Sequence, residues 1–110
     1  MKSIYISLPI SGQEGTYEAR LNAAVEYVKE MYPEYGWIVT PKELAEDLED
    51  FYKKIYKYKP SYKDYLLRDI KEISESDAIF MSCGWSHSKG CRAEHKFAKA
   101  IGLEIFYQPY

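Results

Sequence analysis

The sequence predicts an α/β fold: a parallel sheet of four or five strands with helices on both faces. Three observations lead there. Strand-like and helix-like segments alternate along the chain, which is the pattern of crossover units. The strand segments are nearly continuous in apolar character, as expected for strands buried on both faces. The helical segments carry apolar residues at three- and four-residue spacing. With 110 residues and no linker, repeat or low-complexity tract, one domain spanning 1–110 is expected.

Ser3 to Leu8 (SIYISL) reads as the first strand, ended by Pro9, with Ser11-Gly12 opening a loop. Thr16 is placed to cap a helix whose apolar face is Leu21, Ala24, Val25, Val28 and Met31, and Pro33 and Gly36 end it. Trp37 to Val39 gives a short second strand. Thr40-Pro41-Lys42-Glu43 then combines an N-cap, a first-turn Pro and a capping-box Glu. That helix sets Leu44, Leu48, Phe51 and Ile55 on one side. After Lys59-Pro60, Ser61 starts another helix with Tyr62, Leu66, Ile70 and Ile73 expected inward. Ala78 to Ser82 is the third strand. A loop, Cys83 to Lys89, leads to a last helix from about Gly90 to Ala100, ended by Gly102, and Leu103 to Tyr107 is the final strand. Open sheets of this kind bind ligands beyond the carboxyl ends of their strands. Here those ends carry the loops after Leu8, after Thr40 and from Cys83 to Lys89.

Composition narrows the partners. Net charge is −2, so no overall basic surplus exists to neutralise a nucleic-acid backbone, and no nucleic-acid partner is expected. No apolar run nears the roughly 18 residues of a membrane span. Lys2-Ser3 and a strand follow Met1 directly, leaving no room for a targeting segment, and two cysteines make no disulfide framework. A cytoplasmic protein with reduced thiols is the expectation. A four-stranded sheet this small leaves apolar surface for another subunit to cover, so a homodimer or higher homo-oligomer is expected. Twelve tyrosines include a cluster from Tyr52 to Tyr65 interleaved with lysines. Packed rings with solvated ends, a subunit interface and a wall for a flat ligand all fit it.

Glu94 is the most informative residue. The last helix has an inward stripe of Cys91, Glu94, Ala98 and Ile101, which puts a carboxylate on the sheet-facing side near the ligand edge. Burial would raise its pKa and a nearby helix N-terminus would favour the anion. A Glu that helps cap its own helix fits the spacing equally well. Asp69 repeats the pattern between Leu66 and Ile73. Spacing alone favours an exposed or ion-paired residue there, beside Arg68, Lys71 and Glu72. Asp77 falls at a strand entry, the wrong end of the sheet. Ser86-His87-Ser88-Lys89-Gly90 would place small hydroxyls and free amides at a helix start, suited to a phosphate or simply to a cap by Ser88. Cys83, His87, Cys91 and His95 recur every four residues, but Gly84 and Gly90 interrupt any helix and no CxxC knuckle is present. No metal and no cofactor are expected.

The start KSIYISLPISG, the run RDIKEISESDAIFMSCGW and the following SKGCRAEHKFAKAIGLEIFY resemble the nucleoside 2-deoxyribosyltransferase-like superfamily, and within it the branch termed DUF4406. The matching stretches are the first dozen residues and most of 65–107. The resemblance implies a flavodoxin-like fold and cleavage or transfer at a nucleoside's N-glycosidic bond. It implies Glu94 as nucleophile, Asp69 as the group handling the base and Tyr5 as the residue orienting Glu94. It also implies a substrate site including Pro9, Ser88, Lys89 and Gly90. Transferases of the superfamily carry Asp where this chain has Ser88, whereas its nucleotide hydrolases carry a Ser that contacts the 5′-phosphate. That departure tilts the expectation toward nucleotides or hydrolysis. Leu8 stands where a small residue is common, which would narrow the pocket. The expected partner is therefore a nucleoside or nucleotide. A non-catalytic nucleotide-binding module and a zinc-stabilised domain are the competing expectations.

Overall fold

Strand β1, Ser3–Ser7, is central, and its β-branched and aromatic residues pair on both sides. We describe it in a computed structural model that covers residues 2–9 and 14–109. Helix α1 is Tyr17–Met31, β2 Trp37–Val39, α2 Pro41–Ile55, α3 Tyr62–Glu75, β3 Ala78–Met81, α4 Lys89–Ala100 and β4 Glu104–Tyr107. The sheet has four strands, all parallel, in the order β2-β1-β3-β4. This is a flavodoxin-like three-layer arrangement. Its topological switch lies between β1 and β3, where a ligand crevice is expected. No helix among the described residues is long and apolar enough to cross a membrane.

Two cores flank the sheet. On one face Ile4, Ile6, Ala78 and Phe80 pack against Leu21, Ala24 and Val28 of α1, and Tyr35 joins them. Tyr32 stacks on Phe106 at 4.2 Å, extending the cover toward β4. On the other face Tyr5, Val39, Ile79 and Met81 meet Leu44 of α2, Ile73 of α3, and Cys91 and Ala98 of α4.

Local signals set the helix starts with one exception. The Thr40 hydroxyl accepts from the Glu43 amide at 3.3 Å and donates to the Glu43 carboxylate at 3.1 Å. Ser61 and Asp64 form a complete reciprocal capping box. Ser88 accepts from the Cys91 amide at 3.2 Å. Thr16 precedes α1 but makes no side-chain cap; a 3-10 turn, Glu14–Thr16, runs into the helix, and the Thr16 hydroxyl accepts from Arg20 Nε instead. The loop expected at Ser11-Gly12 lies outside the described residues.

Five residues expected on inward faces lie outside the core or at its margin. Met31 is 53% exposed at the last turn of α1, and Ile101 is 46% exposed just beyond α4. Both sit at the C-terminal ends of their helices. Phe51 and Ile55 are exposed because α2 outruns its contact with the core after Leu48. Tyr62, at the first turn of α3, is 58% exposed and borders a cleft rather than the core. Lys57, just after α2, has φ +65°, and its amide donates to the Tyr52 carbonyl at 2.8 Å. Glycine is the usual occupant of such a left-handed helix end, and a side chain there costs on the order of 1 kcal/mol.

Candidate active site

The carboxyl ends of β1 and β3 open into a cleft of about 700 Å³. Leu8 and Pro9 come from the end of β1, and Pro41, Ala45 and Glu49 from α2. Tyr62, Tyr65, Leu66 and Asp69 come from α3, and the stretch from Gly84 to Glu94 supplies the rest. All three expected loops therefore meet there. Pro9, Ser88, Lys89 and Gly90 line the cleft together with Asp69 and Glu94, while Tyr5 lies beneath, fully buried.

The turn after β3 is built for this junction. Ser82 ties β3 to β1 through its amide and hydroxyl, both donating to the Ser7 carbonyl at 3.0 and 2.8 Å. Gly84 takes φ +86°, a conformation that suits glycine, and a 3-10 turn, Trp85–His87, carries the chain to Ser88. Gly90 keeps the first turn of α4 small; a Cβ there would sit 3.4 Å from the Tyr62 hydroxyl.

Glu94 is buried where its spacing put it, on the sheet-facing side of α4. It is the sixth residue of that helix, a turn deeper than a helix-start position. It therefore neither caps its own amides nor gains much from the helix dipole, which fades within the first turn. Two hydroxyls of β1 hold it instead. Ser7 Oγ donates to Oε1 at 2.7 Å and Tyr5 Oη donates to Oε2 at 3.1 Å. Ser7 is the site residue that sequence reasoning missed. The signal was present: side chains two apart on a strand share a face, so Ser7 must accompany Tyr5.

Asp69 is not the exposed ion-paired residue that charge pattern favoured. Arg68 pairs with Glu72 at 3.2 Å, and Asp69 lines the cleft together with Glu94. Burial drives the Asp69 pKa above the carboxylate range, opposed by the hydrogen bonds from Glu94 and Tyr5 and by the Arg68 charge. Burial and then the Asp69 charge raise Glu94, opposed by the Ser7 and Tyr5 hydrogen bonds. Two carboxyls this close cannot both ionise readily, so the pair retains one shared proton well above the ordinary range. The Tyr5 phenol is pushed up by its own burial and by both carboxylates, so it stays a donor. Burial also raises the Cys91 thiol, which makes it a poor nucleophile.

The Cys83, His87, Cys91 and His95 series does not converge. Cys91 is a core residue, and the His95 ring lies tilted against Trp85, centroids 4.3 Å apart, and bonds the Tyr107 hydroxyl at 2.8 Å. Among the described residues no group of three or more His, Cys, Asp or Glu side chains is disposed to hold a metal ion. Asp77 binds the Ser3 amide at 2.7 Å, at the strand-entry end opposite the cleft. The tyrosine cluster divides. Tyr62 and Tyr65 wall the cleft, with Tyr65 donating to Glu49 at 3.1 Å, whereas Tyr52, Tyr56 and Tyr58 pack on one another beyond it.

Fold and site thus define a flavodoxin-like α/β domain with a buried, hydroxyl-held Glu94 beside a half-buried Asp69 at its switch-point cleft. The chain belongs to the family described as a domain of unknown function, DUF4406, whose model matches residues 2–107. A search of curated proteins found no match.

Proposed function

We propose that this chain is an N-glycosidic-bond enzyme, a nucleotide N-glycosidase or a nucleoside 2-deoxyribosyltransferase, with Glu94 as nucleophile. The observation that carries the reading is the carboxyl pair: Glu94 held by two hydroxyl donors, with a second, protonatable carboxyl beside it at the floor of the cleft. The likeness of the motifs around Tyr5, Asp69 and Glu94 to the deoxyribosyltransferase-like superfamily supports it.

Two carboxyls sharing a proton suit breaking a glycosidic bond. With the proton on Asp69, the Glu94 carboxylate attacks the anomeric carbon as the C–N bond breaks, and the bond's electron pair leaves with the base. Asp69 gives its proton to that base. Water then attacks the glycosyl ester, Asp69 takes a proton from it, and Glu94 leaves as carboxylate; a second base in place of water gives transfer. Tyr5 and Ser7 fix the Glu94 oxygens throughout. Ser88, Lys89 and Gly90, at the start of α4, offer hydrogen-bond donors to a 5′-phosphate.

A non-catalytic nucleotide-binding module is the second reading, favoured by the raised Glu94 pKa, since a neutral carboxyl is no nucleophile. Chromatography of nucleosides and 5′-nucleotides, ribo and deoxy, incubated with protein and a free base separates the two. Base release or exchange that disappears in Glu94→Gln establishes the enzyme. Ligand-induced thermal shifts without turnover, unchanged in the variant, establish the binding module.

A further inference from the structure

Charge in this chain is segregated. The whole carries −2, yet residues 51–63 hold five lysines and no acidic residue. Three of them, Lys53, Lys57 and Lys59, line a second hollow of about 450 Å³ together with Tyr58 and Glu49. Among the described residues the ion pairs are Lys29–Glu26, Lys42–Glu18 and Arg68–Glu72, so no carboxylate pairs with these three ammoniums.

The hollow continues the cleft. Pro41, Ala45 and Glu49 line the cleft, and Glu49, Lys53 and Lys57 line the hollow, recurring every four residues. Residues at that spacing share a helix face. Glu49 lines both, so the two cavities adjoin along α2. The cleft alone is of the size that takes one small ligand.

Two local features give the hollow its chemistry. Lys57 occupies the left-handed helix end that glycine would fill without strain, and a strained position that delivers a side chain to a cavity is a sign of use. Tyr58 is 61% exposed, with Tyr56 stacked at 5.6 Å and Tyr52 edge-on at 5.7 Å, a rigid aromatic surface beside the lysines. Aromatic faces flanked by lysines take bases by stacking and phosphates by charge.

We infer that the hollow is a subsite for a second nucleotide unit, joined through phosphate to the one in the cleft. The substrate class is then a phosphate-linked di- or oligonucleotide. This rests on the nucleotide reading of the cleft. The net charge of −2 concealed it, because the average over the chain hides a local surplus.

Titration calorimetry of the full chain tests it with three probes: a 5′-mononucleotide, a dinucleoside pyrophosphate and a single-stranded tetranucleotide, each at low and moderate salt. At least one linked probe is expected to bind about tenfold tighter than the mononucleotide, with the advantage shrinking as salt rises. The probe that gains identifies pyrophosphate or phosphodiester linkage. Lys53→Gln with Lys59→Gln, and separately Lys57→Gly, remove the advantage and leave mononucleotide affinity within about twofold. Lys57→Gly also separates binding from folding: glycine suits that backbone, so thermal stability holds or rises while linked-probe affinity falls. Equal affinity for all three probes, an advantage that survives both lysine variants, or no binding of any probe overturns the subsite. Failure of the glycosidic reading looks different: tight, lysine-dependent binding of a linked probe with no base released.

Discussion

Strand β1 sends Ile4 and Ile6 to one face of the sheet and Tyr5 and Ser7 to the other, and all four are 0% exposed. Burial alone therefore does not distinguish core from site. On the α1 face the neighbours are Leu21, Ala24 and Val28, and the free energy is that of apolar area removed from water. On the opposite face the hydroxyls of Tyr5 and Ser7 meet Glu94, and burial raises the charge cost that those hydroxyls offset. One face is core alone, while the other adds to its core a carboxyl pair set against a cleft.

The sharpest way to separate the faces is Glu94→Gln. Turnover, followed as base release by chromatography, is expected to fall a thousandfold or more, as when a nucleophile is removed, while the fold persists. Ile6→Ala should do the reverse. Urea denaturation is expected to show a loss of about 2–5 kcal/mol, with turnover per folded molecule unchanged. Ser7→Ala falls between them. Its bond to the carboxylate is the shorter of the two, so losing it should cost about 1–3 kcal/mol of stability. It should also raise the pair's pKa values, moving the acid limb of the pH–rate profile to higher pH. Tyr5→Phe should move that limb less, its bond being longer at 3.1 Å.

The same pair sets the pH dependence of stability. Both carboxyls titrate above their unfolded values near 4, so the folded protein binds more protons than the unfolded chain once pH passes that range. Stability contributed by the pair is full below about pH 4 and is lost as pH rises through the raised folded values. Denaturation midpoints should therefore decline from mildly acid to alkaline pH, and Glu94→Gln should flatten that slope. A midpoint that rises with pH over this range would contradict the assigned environment. The smallest effect belongs to the far end of α2, where Lys57→Gly should gain up to about 1 kcal/mol by relieving the left-handed backbone.

Much of the site was legible because it depends on local spacing. The stripe Cys91, Glu94, Ala98 placed a carboxylate against the sheet, and all three are buried. The strand-helix alternation gave the parallel sheet, and Thr40, Ser61 and Ser88 marked three helix starts that the structure keeps. Asp69 was harder to read. A charged helix surrounds it, and its neighbours Arg68 and Glu72 satisfy each other, which no spacing rule reveals. Ser7 was overlooked because a small hydroxyl in a buried strand looks like filler until its partner, 87 positions away, is known.

By itself, then, the sequence determined the periods: which residues alternate along each strand, which share a helix face, and where helices begin. The period of a backbone is a local property of its dihedral angles. Only the tertiary structure decided what each face meets. It brought Ser7, Tyr5 and Asp69 to Glu94, turned Tyr62 from core to cleft, and left Met31, Phe51, Ile55 and Ile101 exposed. Those outcomes depend on strand order and on where each helix outruns its contact with the core, contacts made between distant parts of the chain that no local pattern encodes.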